Sequence, residues 1–204
     1  MLFIIGGAAR AGKTLLARRI CNLSDVAYVS TDELIVHLSV TTPELGLNIR
    51  DPAGRRSAIL WPVVRPIVTQ AACAHADFLL EGDALMPAHV TEIDSVSPDM
   101  VRACFIGYAE ADPYAKLREI RRYAAGREDW THELDDIALL RLIVELRDFS
   151  GHLRRECLAR GIAYFDGSSN FCSALRDAER FLKSPLGSAD DSLRHPAQSS
   201  LRLP

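Results

Sequence analysis

The hydrophobic residues of this 204-residue chain follow two alternating patterns, short unbroken runs and longer stretches with helical spacing. Unbroken runs are typical of strands buried on both faces of a parallel sheet, and a recurrence every three or four residues is typical of an amphipathic helix. The unbroken runs predict five strands, over residues 2–5, 26–29, 78–80, 101–106 and 162–165. Helical patterns between them indicate βαβ units, so the predicted fold is α/β with a doubly wound parallel sheet.

Helices are predicted after residue 14, after residue 31, over 113–125 and, as the longest, over about 133–160. The longest helix carries an apolar stripe, which indicates a face packed on the core rather than a cofactor site. The stripe consists of Leu139, Ile143, Leu146, Phe149, Leu153 and Cys157.

Two stretches lack these patterns. Residues 41–56 contain Pro, Gly and several arginines and are predicted to form a loop. Residues 184–204 are low in aromatic residues and rich in Ser and Pro, which is typical of a disordered tail. The sequence therefore predicts one domain over residues 1–183, followed by a tail.

The first predicted strand runs directly into the sequence IIGGAARAGKT, residues 4–14. This segment fits the phosphate-loop pattern G-x-x-x-x-G-K-[ST], in which backbone N–H groups surround a phosphate, the lysine reaches the β and γ oxygens and the hydroxyl binds Mg²⁺. An ordinary turn is the alternative, and the order of strand, glycine loop and helix favours the phosphate loop. The predicted nucleotide-binding residues are Gly7, Ala8, Ala9, Arg10, Ala11, Gly12, Lys13 and Thr14.

An aspartate, Asp32, follows the second predicted strand in the sequence YVSTDEL. Ligands of open α/β sheets bind at the carboxyl ends of the strands, so Asp32 is predicted to lie at the same edge as the phosphate loop. A carboxylate there can accept the proton of an attacking hydroxyl. The alternative is a contribution to the helix start, where acidic residues favour the dipole, although Ser30 or Thr31 is the expected cap.

Two acids, Glu81 and Asp83, follow the third predicted strand in the sequence FLLEGDALMP. An acidic residue at this position beside a phosphate loop serves Mg²⁺ directly or through water, so both are candidate metal residues together with Thr14. A solvated turn is the alternative, and the sequence does not choose between the two acids. Gly82 between them is expected to let a substrate approach the backbone closely.

Arginines cluster after the fourth predicted strand. Arg118 shares a helix face with Arg121 and Arg122, three and four residues further on, and Arg127 follows a glycine. Planar guanidinium groups bind phosphate through two hydrogen bonds and neutralise charge on a transferred phosphoryl group. A solvated basic helix face is the alternative. We predict that at least one of these four arginines contacts phosphate.

Composition narrows the class of ligand. A formal net charge of −3 offers no broad attraction for nucleic acid or an anionic membrane. The five cysteines form no C-x-x-C pair and the six histidines have no ligand spacing, so neither a disulfide framework nor a zinc site is predicted. The longest apolar run, residues 58–74, contains two prolines and an arginine and is shorter than a membrane span of about 20 residues. We therefore expect a cytoplasmic protein with a small-molecule partner, and the sequence leaves the oligomeric state open.

The segments GGAARAGKT, STDEL and LLEGDALMP, followed by an arginine-bearing helix, resemble the P-loop small-molecule kinases related to adenylate kinase over roughly residues 1–182. This group includes 2-phosphoglycerate kinase, gluconate kinase, chloramphenicol phosphotransferase and zeta-toxin-like enzymes. The resemblance implies a sheet ordered 2-3-1-4-5, ATP as donor with Mg²⁺, Asp32 near the acceptor hydroxyl and an arginine-bearing lid over about residues 112–132. It also implies a nucleotide base near the loop after the fifth strand, FDGSSNF.

The sequence thus predicts an ATP-dependent phosphotransferase that acts on a hydroxyl or phosphate of a small molecule. The alternatives are a P-loop ATPase that uses water as acceptor and a nucleotide-binding regulatory protein without turnover. A GTPase is disfavoured because the guanine-reading sequence N-K-x-D does not occur. Two features depart from the family pattern, the ARA interior of the phosphate loop and a lid too short for a zinc-binding insert. The segment 41–65, with its arginines and Trp61, is expected to shape the acceptor pocket.

Overall fold

The computed structural model of the protein describes residues 1–22, 26–74, 76–97, 100–124 and 130–184. The strands are β1 (Leu2–Gly7), β2 (Ala27–Ser30), β3 (Phe78–Gly82), β4 (Val101–Gly107) and β5 (Ala163–Asp166). They form one parallel sheet in the order β2-β3-β1-β4-β5. The α/β class, the five predicted strands and the strand order that the resemblance implies are therefore confirmed. The predicted tail, apart from Ser184, lies outside the described residues.

Helices cover both faces of the sheet. The α-helices are α1 (Lys13–Cys21), α2 (Thr31–Thr41), α3 (Ala53–Cys73), α4 (Pro87–Val96), α5 (Pro113–Ala124), α6 (Asp136–Ala159) and α7 (Phe171–Lys183). Short 3₁₀ helices form at Pro43–Leu45 and Trp130–Glu133. The predicted stripe on α6 is confirmed, because four of its six residues are buried and the other two, Leu146 and Phe149, pack against the core.

Successive strand residues point to opposite faces of the sheet and enter two hydrophobic cores. In β1, Ile4 belongs to the core that includes residues of α3 and α4, and Ile5 belongs to the core that includes residues of α1 and α7. All seven residues of β4 are buried, as expected for a strand inside a parallel sheet. This packed sheet holds the loops at its carboxyl edge in fixed positions.

The stretch predicted as a loop over residues 41–56 is partly helical, which corrects the sequence-based boundary. α3 already begins at Ala53, directly after Pro52, and it continues through Pro62 and Pro66. Both internal prolines are exposed, so the carbonyl groups that they leave without a helical partner face water and the helix persists. Among the helices of the described ranges, α3 included, none has the length and apolar content to cross a membrane.

Candidate active site

The phosphate loop connects β1 to α1 in a conformation that its glycines permit. Gly7 and Gly12 have φ angles of +139° and +92°, in the region that favours glycine. A Cβ atom at Gly7 would also collide with the backbone carbonyl of Ile106 on β4. The loop leads directly into α1, whose first N–H groups have no acceptor within the helix and can bind an anion.

Lys13, the first residue of α1, is only 5% exposed. Its Nζ donates a hydrogen bond to the carbonyl oxygen of Ala8 at 2.9 Å, so the ammonium group lies across the loop. The charge of Lys13 acts on the carboxyl groups of Asp32 and Asp83. The cation of the loop therefore lies near carboxylates from the β2–α2 and β3–α4 connections.

Asp32 is the second residue of α2 and follows β2. The cap of α2 is Ser30, whose Oγ accepts the N–H of Glu33 at 3.4 Å, so α2 does not require Asp32 as a cap. Burial and the negative charge of Asp83 raise the pKa of Asp32 to about 6, against the opposing charge of Lys13. At neutral pH such a carboxyl is ionised and is a stronger base than an exposed aspartate.

Asp83 forms a buried ion pair with Arg56 of α3. Arg56 Nη1 donates to Asp83 Oδ1 at 2.6 Å and Nη2 donates to Oδ2 at 3.0 Å, while Nε donates to the carbonyl of Asp51 at 2.8 Å. Both side chains of the pair are 8% exposed. Burial alone would raise the pKa of Asp83, but the charge of Lys13 and the contacts with Arg56 outweigh it and hold this pKa below its ordinary value.

Glu81 lies near the end of β3 and is 1% exposed. Thr14 Oγ1 donates to Glu81 Oε1 at 3.1 Å, and Tyr28 Oη donates to Oε2 at 2.9 Å. The two acids that the sequence could not distinguish therefore have different partners. Glu81 contacts the hydroxyl of the phosphate loop, and Asp83 contacts Arg56.

Gly82 has a φ angle of +154° and lies between these acids. A Cβ atom at this position would collide with Oγ1 of Thr31, the residue before Asp32. The expectation that Gly82 gives a substrate access to the backbone is therefore wrong, because Thr31 fills this space. The close approach instead places the start of α2 against the end of β3.

The arginines after β4 that the sequence predicted to bind phosphate differ in their exposure and in their hydrogen-bond partners. Arg118 and Arg122 are exposed on α5. Arg121 donates to two backbone carbonyls within residues 131–134, at 2.8 and 2.6 Å, and so ties α5 to the segment before α6. Arg127 lies outside the described residues.

The phosphate loop reaches the same segment through Arg10. This residue has a φ angle of +64°, which is uncommon for a residue other than glycine. Its Nη2 donates to Thr131 Oγ1 at 2.9 Å, and its guanidinium carbon lies 5.7 Å from the centre of the Trp130 ring. The unusual interior of the glycine loop therefore contacts the C-terminal end of the predicted lid.

His89 caps the start of α4. Its Nδ1 accepts the N–H of Met86 at 3.2 Å at the start of α4, and its ring stacks on Trp61 with centroids 3.9 Å apart. Burial lowers the pKa of His89 to about 4, so the ring is neutral at physiological pH. The neutral ring and Trp61 join α4 to α3 close to Arg56.

The sequence analysis included Arg56 only as one of several arginines in the segment 41–65, expected to shape the acceptor pocket, and it did not identify Tyr28 as a site residue. A signal for Arg56 does exist, because it lies four residues before Leu60 and eight before Val64, in phase with the buried face of α3. The error in the helix start concealed this phase. Tyr28 has no comparable local signal, since its contact with Glu81 depends on the pairing of β2 with β3.

A glycine loop between the first strand and the first helix, at the edge of a parallel sheet ordered 2-3-1-4-5, defines the fold of the P-loop small-molecule kinases. The chain resembles a shikimate kinase from Bacteroides thetaiotaomicron with a TM-score of 0.54 and 13% identity, over 90% of this chain and 99% of that one. It resembles a sugar kinase from Janibacter sp. HTCC2649 with a TM-score of 0.53 and 16% identity, over 89% and 93% of the two chains.

A gluconokinase from Sinorhizobium meliloti 1021 also shares this fold, with a TM-score of 0.51 and 15% identity over 88% of this chain and 90% of that one. No protein-family model and no curated protein matches the chain by sequence. At these low identities the likeness confirms the expected fold, and the chemistry has to be argued from the residues of this chain.

Proposed function

We propose that the protein is an ATP-dependent phosphotransferase that moves the γ-phosphoryl group of ATP to a hydroxyl or phosphate of a small molecule. The observation that carries this proposal is the position of Asp32, a partly buried carboxyl at the sheet edge within the electrostatic reach of Lys13. A donor site and a base at one edge of a sheet are what transfer to an acceptor hydroxyl requires.

On the donor side, the loop from Gly7 to Thr14 surrounds the β-phosphate with backbone N–H groups, and the start of α1 adds its positive dipole end. Lys13 lies within this loop, so its charge balances the β and γ oxygens without a large movement. We assign the base-binding region to the loop after β5. There Asp166 accepts the N–H of Ala109 at 3.1 Å, which joins this loop to the one after β4.

On the acceptor side, Asp32 accepts the proton of the attacking hydroxyl. Its pKa of about 6 leaves it ionised at neutral pH and brings its basicity closer to the operating pH than that of an ordinary aspartate. Lys13 holds the transferred group while Asp32 orients the acceptor. The two residues come from different βα connections, so the fold itself sets their separation.

The residues at the loop fit a magnesium ion bound to the nucleotide. Mg²⁺ would be held by the Thr14 hydroxyl, with Glu81 beside it directly or through water, and it would neutralise phosphate charge. Asp83 fits this role less well, because both of its oxygens accept hydrogen bonds from Arg56. Within the described ranges there is no group of three His, Cys, Asp or Glu side chains that could hold a metal, which suits an ion whose other ligands are phosphate and water.

The segment 112–132 is the proposed lid. Arg118 and Arg122 are exposed and can turn toward a bound nucleotide, and Arg127 keeps its proposed role from the sequence. Arg121 is less suited than Arg118 and Arg122 to contact phosphate, because it would first have to release two backbone carbonyls and the carboxylate of Asp136.

The experiment that tests this function is acceptor-dependent ADP release from MgATP by the full chain. A panel of sugars, sugar acids, nucleosides, nucleoside monophosphates and antibiotics covers the acceptor classes. We expect at least one compound to raise ADP release well above the rate without acceptor, and mass spectrometry to detect its phosphorylated product. ATP hydrolysis that no acceptor increases would favour an ATPase, and ATP binding without turnover would favour a regulatory protein.

A further inference from the structure

The ion pair between Arg56 and Asp83 lies beside the proposed base and has no part in the transfer step itself. It joins α3 to the residue after β3, and Asp83 contributes directly to the raised pKa of Asp32. Gly82, the residue before Asp83, lies against Thr31 and Asp32, with the position of a Cβ atom there 3.2 Å from Asp32 Oδ1. The pair therefore lies next to the part of the site that the reacting end of an acceptor would meet. The charges of Arg56 and Asp83 therefore affect which acceptors can bind.

Four cationic side chains are buried in the described part of the chain: Lys13, Arg56, Arg102 and Lys116. Arg102 and Lys116 lie elsewhere, the first over the ring of Phe181 and the second over the ring of Tyr108. Lys13 and Arg56 are therefore the buried cations near Asp32. They lie with three carboxylates, those of Asp32, Glu81 and Asp83, which is one more than the two buried cations.

The guanidinium of Arg56 already makes hydrogen bonds within the protein. Each of its three nitrogens donates a hydrogen bond, two to Asp83 and one to a backbone carbonyl. To take over the two-pronged contact that Asp83 makes, an acceptor carboxylate or phosphate would have to leave Asp83 buried and without its partner, which is strongly unfavourable. The two N–H groups of Arg56 that remain belong to a guanidinium whose charge Asp83 already neutralises. The same anion would also face the charge of Asp32.

We infer that the acceptor presents uncharged hydroxyl groups, or an amine, to this end of the site, and not a carboxylate or a phosphate. This inference rests on the proposed phosphotransferase function and narrows it: the end of the acceptor that meets Asp32 and Asp83 carries hydroxyl or amine groups, and the phosphoryl group goes to a hydroxyl. Asp83 is the residue that disfavours anionic acceptors, because it neutralises the charge of Arg56 and its own negative charge repels a carboxylate or a phosphate. Hydroxyl and ammonium groups can donate hydrogen bonds to the carboxylates of Asp32 and Asp83.

Three six-carbon probes that differ only at one terminus test the inference: D-gluconate, D-glucitol and D-glucamine, which carry a carboxylate, a hydroxymethyl and an ammonium group. Their binding is measured by calorimetry on the full chain with MgADP present, so that the phosphate loop is filled and a carboxylate cannot bind there. In the parent, gluconate should bind at least about tenfold more weakly than the better of the other two probes, or show no saturable binding.

The variant Asp83→Asn keeps the shape of the side chain and removes the charge that neutralises Arg56. It should lower the gluconate dissociation constant by about tenfold or more relative to the parent. The double variant Asp83→Asn with Arg56→Gln should lose this gain, which assigns it to Arg56. Unfolding curves of each variant confirm that the proteins compared are folded.

Two results would overturn the inference. One is gluconate binding to the parent that Arg56→Gln abolishes, and the other is a folded Asp83→Asn variant that gains no affinity for gluconate. Failure of the phosphotransferase function is a separate result. If the charge selectivity appears as expected while no neutral or amine acceptor in the panel is phosphorylated, the selectivity of the site stands and the transfer reaction is wrong.

Discussion

The phosphate loop and the Arg56–Asp83 pair lie at the same edge of the sheet but are assembled differently. The loop consists of residues 7–14, which are neighbours in sequence, whereas the pair joins residues 27 positions apart. The loop depends on backbone conformation at glycines and on one lysine, and the pair depends on the docking of α3 against the sheet. The proposed donor side is therefore formed by neighbouring residues, and the proposed acceptor side is formed by tertiary structure.

We therefore expect substitutions in the loop and in the ion pair to affect different properties of the protein. A substitution in the loop should lower the reaction rate and leave the core intact, because the side chain of Lys13 hydrogen-bonds to the carbonyl of Ala8 within the loop. A change in the pair should destabilise the fold, because it leaves a buried charge without its partner.

The largest effect is expected for Lys13→Ala. The ammonium group balances charge that develops on the β and γ oxygens, so its removal should lower nucleotide turnover by about 10²–10³-fold or more. The free energy of unfolding should change much less. Turnover is measured as ADP release and folding by circular dichroism, and an unchanged ADP rate in a folded variant would contradict the phosphate-loop assignment.

Arg56→Met tests the other side of the comparison. Breaking a buried ion pair from one end typically costs about 3–5 kcal/mol, so urea unfolding should show a loss of this order. The matched control is Arg55→Met on the same helix, where the arginine is 65% exposed and pairs with Asp51 at 3.0 Å. Its cost should stay below about 1 kcal/mol. Equal losses for the two variants would show that the Arg56–Asp83 pair contributes nothing special.

The pH dependence of transfer tests the environment of Asp32. Because the base must be ionised and its pKa is about 6, kcat/KM for the acceptor should be half-maximal near pH 6 and fall about tenfold per unit at lower pH. A rate that stays flat down to pH 5 would show that Asp32 has no raised pKa or is not the base.

The smallest effect is expected for Tyr28→Phe. The phenol donates to Glu81 and fixes its orientation beside Thr14, so its loss should raise the Mg²⁺ concentration needed for half-maximal activity by a few-fold. Binding of free ATP without metal should not change. The same Mg²⁺ requirement in parent and variant would remove Tyr28 from the metal side of the site.

The elements that the sequence predicted correctly are those specified by neighbouring residues. The strands show as unbroken apolar runs, and the glycine loop shows as a fixed spacing after β1. The cap of α2 is Ser30, one of the two residues expected there. In each case the physical cause lies within a few residues, in backbone geometry or in a local hydrogen bond.

The errors and open choices involve contacts between distant residues. The sequence could not choose between Glu81 and Asp83, because their partners Thr14 and Arg56 come from other elements. It predicted that a substrate approaches the backbone at Gly82, whereas the side chain of Thr31 on the neighbouring α2 fills the space beside this glycine. The pairing of strands and the docking of α3 decide these contacts, and no single stretch of sequence contains that information.

The most direct test of the central claim is a paired measurement on Asp32→Asn, which keeps the size of the side chain and removes its charge. Acceptor-dependent phosphoryl transfer and acceptor-free ATP hydrolysis are measured for the parent and the variant. We expect transfer to fall by about 10²–10⁴-fold while slow hydrolysis changes far less, because loss of the acceptor's base affects only the transfer reaction. A proportional fall in both rates, or no fall in either, would contradict the assignment of Asp32 as the base of a phosphotransferase.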